Sequence, residues 1–128
     1  LGYQAHGADG WFTIFIRGML CNWMVSMGVV GAMISTSATS KMMAMWMPVM
    51  LFFFMGFEHS IVNMFLFPFS MIMGGDFGVY DYFMWNEIPT ALGNLVGGFL
   101  LVGLPLYWTH VRTNPERKIA KATATKAA

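Results

Sequence analysis

Glu58, His59, Ser60 and Asn63 stand together as Glu-His-Ser-x-x-Asn, inside the apolar run from Met42 to Met73. Apart from Glu58 and His59, no residue of that run can hold a charge. A charge at mid-bilayer costs about 2.5 to 3.5 kcal/mol even on lenient scales, so such residues face a watery path or a partner. Neighbours on a helix point about 100° apart. Glu58 and His59 are therefore expected to do different jobs, one toward a pore and the other toward packing or a subunit contact. The plain alternative is a hydrogen-bonded pair that only fixes helix geometry.

Within this cluster only His59 ordinarily exchanges a proton near physiological pH. An apolar lumen favours the neutral ring, and an arriving anion favours the protonated one. That combination suits passage of a small weak-acid anion. The histidine can stabilise the anion, or lend it a proton so that it crosses an apolar constriction as the neutral acid. Phe52 lies seven residues earlier, on roughly the same helix face, and is the candidate for that constriction. Lipid-facing packing would explain Phe53 and Phe54 equally well.

The run itself sets a geometric problem. A straight helix rises about 1.5 Å per residue, so Met42 to Met73 would extend about 48 Å. The hydrocarbon core is about 30 Å thick. The segment must tilt, break or overrun the membrane, and Pro48, Gly56 and Pro68 are the candidate places. A break frees backbone N–H and C=O groups that survive at membrane depth only with partners. Asn22, Asn63 and Asn94 are candidate supports, since buried amides must themselves be bonded. Generic interhelical hydrogen bonding is the alternative. Ser60 and Thr90 are weaker supports, each expected to bond back to its own helix.

Composition fixes the solvent. Hydrophobic residues make up 57% and charged residues 10% of the 128 residues. Soluble domains carry about 25% charged residues, so lipid is the expected surrounding. The net charge of +1 gives no reason to expect a nucleic-acid partner. The one cysteine, Cys21, cannot form an internal disulfide and reads as a small buried hydrophobe.

The chain reads as a single transmembrane region, 1–128, with spans at roughly 11–34, 42–73 (broken) and 88–108. Leu1 to Gly10 is expected to be a polar loop, 35–41 a turn, and 74–87 a loop bearing Asp76, Asp81 and Glu87. Arg17, the one charge of the first span, is expected to snorkel to the near interface. Residues 111–128 form a basic tail. Lys41 and the tail cations share one side, which the positive-inside rule places in the cytoplasm. The broken helix and odd number of spans suit half of a transporter built from two inverted three-span repeats. With no initiator Met, the sequence is expected to be an incomplete chain, half of such a protein.

Two other function classes were weighed. Met43 and Met47 fit an MxxxM pattern, and Gly93 and Gly97 fit GxxxG, as in three-span Cu(I) importers. Thioethers select Cu(I), but the termini lack methionines to collect metal, so flexible filler is the better reading. An intramembrane enzyme is not expected, because no nucleophile or metal set surrounds Glu58 and His59. No cofactor and no metal site is expected.

Three motifs in register resemble one family. Gly56-Phe-Glu-His-Ser-Ile-Val-Asn-Met64 is similar to the fifth-span signature of the formate/nitrite transporters. Arg17-Gly-Met-Leu-Cys-Asn-Trp-Met-Val25 resembles their fourth-span motif, and Ile88-Pro-Thr-Ala-Leu-Gly-Asn-Leu-Val-Gly-Gly98 their sixth. The resemblance covers about residues 11–110. It implies an aquaporin-like, all-α inverted-repeat bundle of six spans, of which this chain is the C-terminal half, assembled as a homopentamer with a pore in each protomer. It implies small monovalent anions as substrates: formate, nitrite, hydrosulfide or another monocarboxylate. By resemblance His59 is the central pore histidine and Phe52 the constriction. Asn22 and Asn94 hold the broken segment, and Glu58 is the motif's acid, structural or at a subunit contact. The wording of the sixth-span motif and the Leu-Tyr-Trp-Thr-His-Val ending resemble fungal members, where nitrite uptake is typical. The implied location is the plasma membrane.

Overall fold

The computed structural model describes residues 2–114, and these are helical almost throughout. A short 3-10 turn, Gly2–His6, leads into α1, Gly7–Ile34. α2 is Ala38–Phe54 and α3 is Ser60–Ile72. α4 denotes the continuous helical stretch Val79–Arg112. Within it, α-helical turns alternate with wider π turns at Phe83–Glu87, Phe99–Gly103 and Tyr107–Arg112. Four of the expected tail cations (Arg117, Lys118, Lys121 and Lys126) lie outside the described residues.

Local chemistry accounts for the boundaries. Ser37 caps α2 by accepting the Ser40 N–H at 3.1 Å, so that helix begins earlier than expected. Asp81 reaches back to the Gly78 N–H at 3.0 Å, which starts α4 at Val79. The expectation of a loop through Glu87 is therefore corrected: Tyr82, Asn86 and Glu87 are helical and buried. α1 likewise begins at Gly7, where φ is +53°, and not after a loop ending at Gly10.

The interruption between α2 and α3 is a Schellman motif. The Phe57 N–H bonds the Phe52 carbonyl and the Gly56 N–H bonds the Phe53 carbonyl, both at 3.0 Å. Gly56 takes the left-handed position with φ +63°, the place where glycine costs least. Pro48 and Pro68 do not break the segment and remain inside α2 and α3.

α1 and α4 pack with their backbones in close approach. A Cβ at Gly93 would collide with the Phe15 carbonyl, and one at Gly97 with the Met19 carbonyl and, at 3.0 Å, the Trp23 nitrogen. The GxxxG spacing of α4 thus serves packing against α1. Gly97→Val should destabilise the protein by about 1–3 kcal/mol or more, because rigid backbone cannot yield to the new methyls. Thermal unfolding in detergent checks this against Ala91→Val on the exposed face of α4, which should be near neutral.

The outer surface is apolar, with Phe12, Met33, Phe54, Ile61, Phe65 and Ile72 all exposed. Helical stretches Gly2–Ile34 and Val79–Arg112 are long and apolar enough to cross a membrane. α2 and α3 are each shorter than the roughly 30 Å of hydrocarbon that a span must cross. An all-α membrane protein follows.

Candidate functional site

The buried polar groups converge on the break. Helix α2 ends there with unpaired carbonyls, and α3 begins with unpaired N–H groups. Arg17 on α1 meets the first need: its Nη2 donates to the carbonyls of Gly56 and Met55. The guanidinium lies 6.0 Å from the Phe57 ring. The expectation that Arg17 snorkels to the interface is corrected here. The partial negative charge at a helix C-terminus offers a cation a nearer partner than the membrane surface.

Asn94 on α4 meets the second need. Its Oδ1 accepts the Ser60 N–H at 3.1 Å, so α3 is capped from another helix. Its Nδ2 donates to the Glu58 carbonyl at 3.1 Å and to the Gly18 carbonyl on α1 at 2.9 Å. One amide thereby ties together α1, α4 and the break. Asn22 stands one step back: its Nδ2 donates to the Asn94 carbonyl at 2.6 Å and bonds no atom of the break.

A second cluster joins α3 to α4. Asn63 Nδ2 donates to Glu58 Oε2 and to Asn86 Oδ1, both at 2.8 Å, and Asn86 Nδ2 donates to the same Glu58 oxygen at 3.2 Å. Ser60 Oγ donates to Glu87 Oε1, and Tyr82 Oη donates to Glu87 Oε2 at 2.9 Å. The expectation that Ser60 bonds back to its own helix is corrected: its Oγ turns to Glu87, because a buried carboxylate is the stronger acceptor. Thr90 does not bond back either. It is fully buried, on the α4 face between Glu87 and Asn94, and its Oγ1 has no partner.

His59 sits at the N-terminal edge of α3 with extended backbone, φ −122° and ψ 116°. Phe52, nearly fully buried, stacks against its ring with centroids 5.6 Å apart. Nδ1 of the ring is buried and has no partner. Phe53 and Phe54, by contrast, face outward. The structure therefore gathers Phe52, Glu58, His59, Ser60, Asn63 and Asn94 at one place, with Asn22 and Thr90 beside it.

Sequence reasoning missed Arg17, Asn86 and Glu87. Asn86 and Glu87 were hidden by the aromatic-rich stretch before Ile88, which reads as an interfacial loop. They lie in the π turn Phe83–Glu87, whose extra residue lets two consecutive side chains both reach α3. One signal was available: Asp81 three residues after Gly78 is a helix-start pattern.

An apolar groove of about 540 Å³ runs between α1 and α2, lined by residues including Leu20, Trp23, Met24, Met27, Met47 and Leu51. It offers an anion no polar contact. Met47 lines this groove beside other methionines, and both it and Met43 are exposed.

Fold and site define the class first: a helical membrane protein in which a helix break carries a histidine stacked on Phe52, next to a network of buried amides and carboxylates. Comparison with known proteins gives the particular family. A model of the formate/nitrite transporter family matches residues 3–108, and the chain belongs to that family. It is 41% identical over 98 residues to a probable formate transporter of Methanothermobacter thermautotrophicus, covering 77% of this chain and 35% of that protein. It is 38% identical over 94 residues to formate-nitrite transporter 2 of Toxoplasma gondii, covering 73% and 20%. With the formate channel FocA of Haemophilus influenzae the identity is 34% over 112 residues, covering 73% and 39%. The chain thus spans between a fifth and two fifths of the length of these relatives. No solved structure matches it. The relatives are named as transporters and channels, and the copper and enzyme readings are set aside.

Proposed function

We propose that this chain belongs to a channel-like transporter of small monovalent weak-acid anions, formate or nitrite, in which His59 exchanges a proton with the passing anion. The observation that carries the reading is the His59 ring. It stands at a helix break, is flanked by the apolar Phe52 ring, and keeps a buried Nδ1 that no protein group satisfies. Such a ring suits an anion that needs a proton to cross an apolar constriction. The neighbouring amides bond one another and the backbone, so they hold the ring's surroundings and leave it for the anion.

Family membership supports the substrate class, and the printed names of the relatives above favour formate. In this reading α2 and α3 together form one broken span between the spans of α1 and α4. The reading extends to a homopentamer in the plasma membrane with the C-terminus in the cytoplasm, the last supported by Lys41 and the tail cations.

Uptake of labelled formate and nitrite into vesicles carrying the full-length protein tests the reading. Either anion should enter faster than into empty vesicles, and faster at pH 5 than at pH 8, where less proton is available to accompany it. Equal rates with and without protein, for both anions, would sink the proposal. Native mass spectrometry of the same preparation checks for five copies.

A further inference from the structure

Glu87 is a buried acid that the reading above leaves without a task. It is 4% exposed. Both carboxylate oxygens take hydroxyl donors: Ser60 on one side and Tyr82 on the other. Among the described residues no ion pair neutralises it, and Arg17 is committed to the Met55 and Gly56 carbonyls. A buried carboxylate held only by hydroxyls is costly, so structure alone would favour an amide there.

Its partner Ser60 directly follows His59. Ser60 is held twice by α4, through its N–H on Asn94 and its Oγ on Glu87. The backbone that carries the imidazole is therefore clamped by the same residue that Glu87 grips. The other titratable or charged groups around the break are Glu58, facing Asn63 and Asn86, Arg17 and Cys21 on α1, and Tyr82 on α4.

We infer that Glu87 is a positioning residue for His59: acting through Ser60, it sets where on the pH scale the imidazole takes its proton. The inference rests on the reading of His59 as the proton-exchanging residue of the pore. The two hydroxyls suit the task because both donate to the carboxylate, Ser60 to Oε1 and Tyr82 to Oε2, and so hold it against the edge of α3 that carries His59.

The test follows the His59 ring directly. Full-length protein carrying ring-¹⁵N histidine is placed in lipid bilayers and titrated by nuclear magnetic resonance. The His59 signal is assigned by its loss in His59→Phe. Glu87→Gln keeps an acceptor and a donor for Ser60 and Tyr82 while removing the charge. It should leave thermal stability at or above that of wild type and move the His59 midpoint by about one pH unit, as expected when a nearby charge is removed. Ser60→Ala, which cuts the link and keeps the Asn94 cap, should also move it. A Glu87→Gln curve that superimposes on wild type overturns the inference. If Glu87→Gln does not assemble, Ser60→Ala and Tyr82→Phe decide instead, and coincident curves in both overturn it. Formate and nitrite uptake in the same vesicles separates the two readings. Wild-type protein that moves neither anion ends the transport proposal, while the resonance midpoint still decides the place of Glu87.

Discussion

His59→Phe should reduce formate and nitrite uptake by about 100-fold or more, the usual contribution of a positioned proton-exchanging group. The fold should survive. Among the described residues the His59 ring makes no hydrogen bond that a phenyl ring would lose, and its stacking on Phe52 at 5.6 Å is available to either ring. Thermal unfolding should therefore shift by less than about 1 kcal/mol, since no made bond is broken. The pairing of near-total loss of uptake with near-native stability is what separates a functional histidine from a structural one. If His59→Phe carries either anion as fast as wild type, the ring is part of the packing and the proposed mechanism fails. Wild-type uptake that falls as pH rises, with no such slope left in the variant, would support proton exchange over simple electrostatic attraction.

The second large effect belongs to Asn94. Asn94→Leu leaves two polar groups of the break unmet at once, the Ser60 N–H and the Glu58 carbonyl, and takes a second bond from the Gly18 carbonyl. At membrane depth no water replaces them, and each unmet buried group costs about 1–3 kcal/mol. The summed loss, on the order of 2–6 kcal/mol, is a large part of the whole stability of many folds. The expected result is a protein that assembles poorly and transports nothing. Asn22→Leu makes the useful contrast. Asn22 gives one hydrogen bond, to the Asn94 carbonyl, so its loss should cost about 1 kcal/mol and leave part of the uptake. Thermal unfolding and uptake of both variants check the ranking. An Asn94→Leu protein as stable as wild type would mean that the break holds itself.

Legibility differed from group to group. An apolar run too long to be one straight span called for a break, and the sequence offered Pro48, Gly56 and Pro68; the structure chose Gly56, which takes the left-handed position that ends a helix at least cost. Three asparagines in apolar spans marked the interior, because an amide facing lipid would go unbonded. Which amide bonds which group was not legible. Asn22 and Asn94 look alike as candidates, yet Asn94 touches the break and Asn22 does not. Ser60 and Thr90 also look alike. Ser60 finds a carboxylate across the helix boundary and Thr90 finds no partner.

The amino-acid sequence by itself determined the medium, the helical class, the need for an interruption and the residue near it able to exchange a proton. Those properties follow from side-chain polarity, helix rise and backbone conformational preference, which act over a few neighbours along the chain. Only the tertiary structure decided that Arg17 turns inward to cap α2, and that Asn94 serves as the cap of α3. It also brought Asn86 and Glu87, twenty-three and twenty-seven residues from their α3 partners, into the site. Those pairings depend on the rotation and axial register of one helix against another. Helical periodicity alone does not carry that information, and the π turn before Ile88 shifts the register once more.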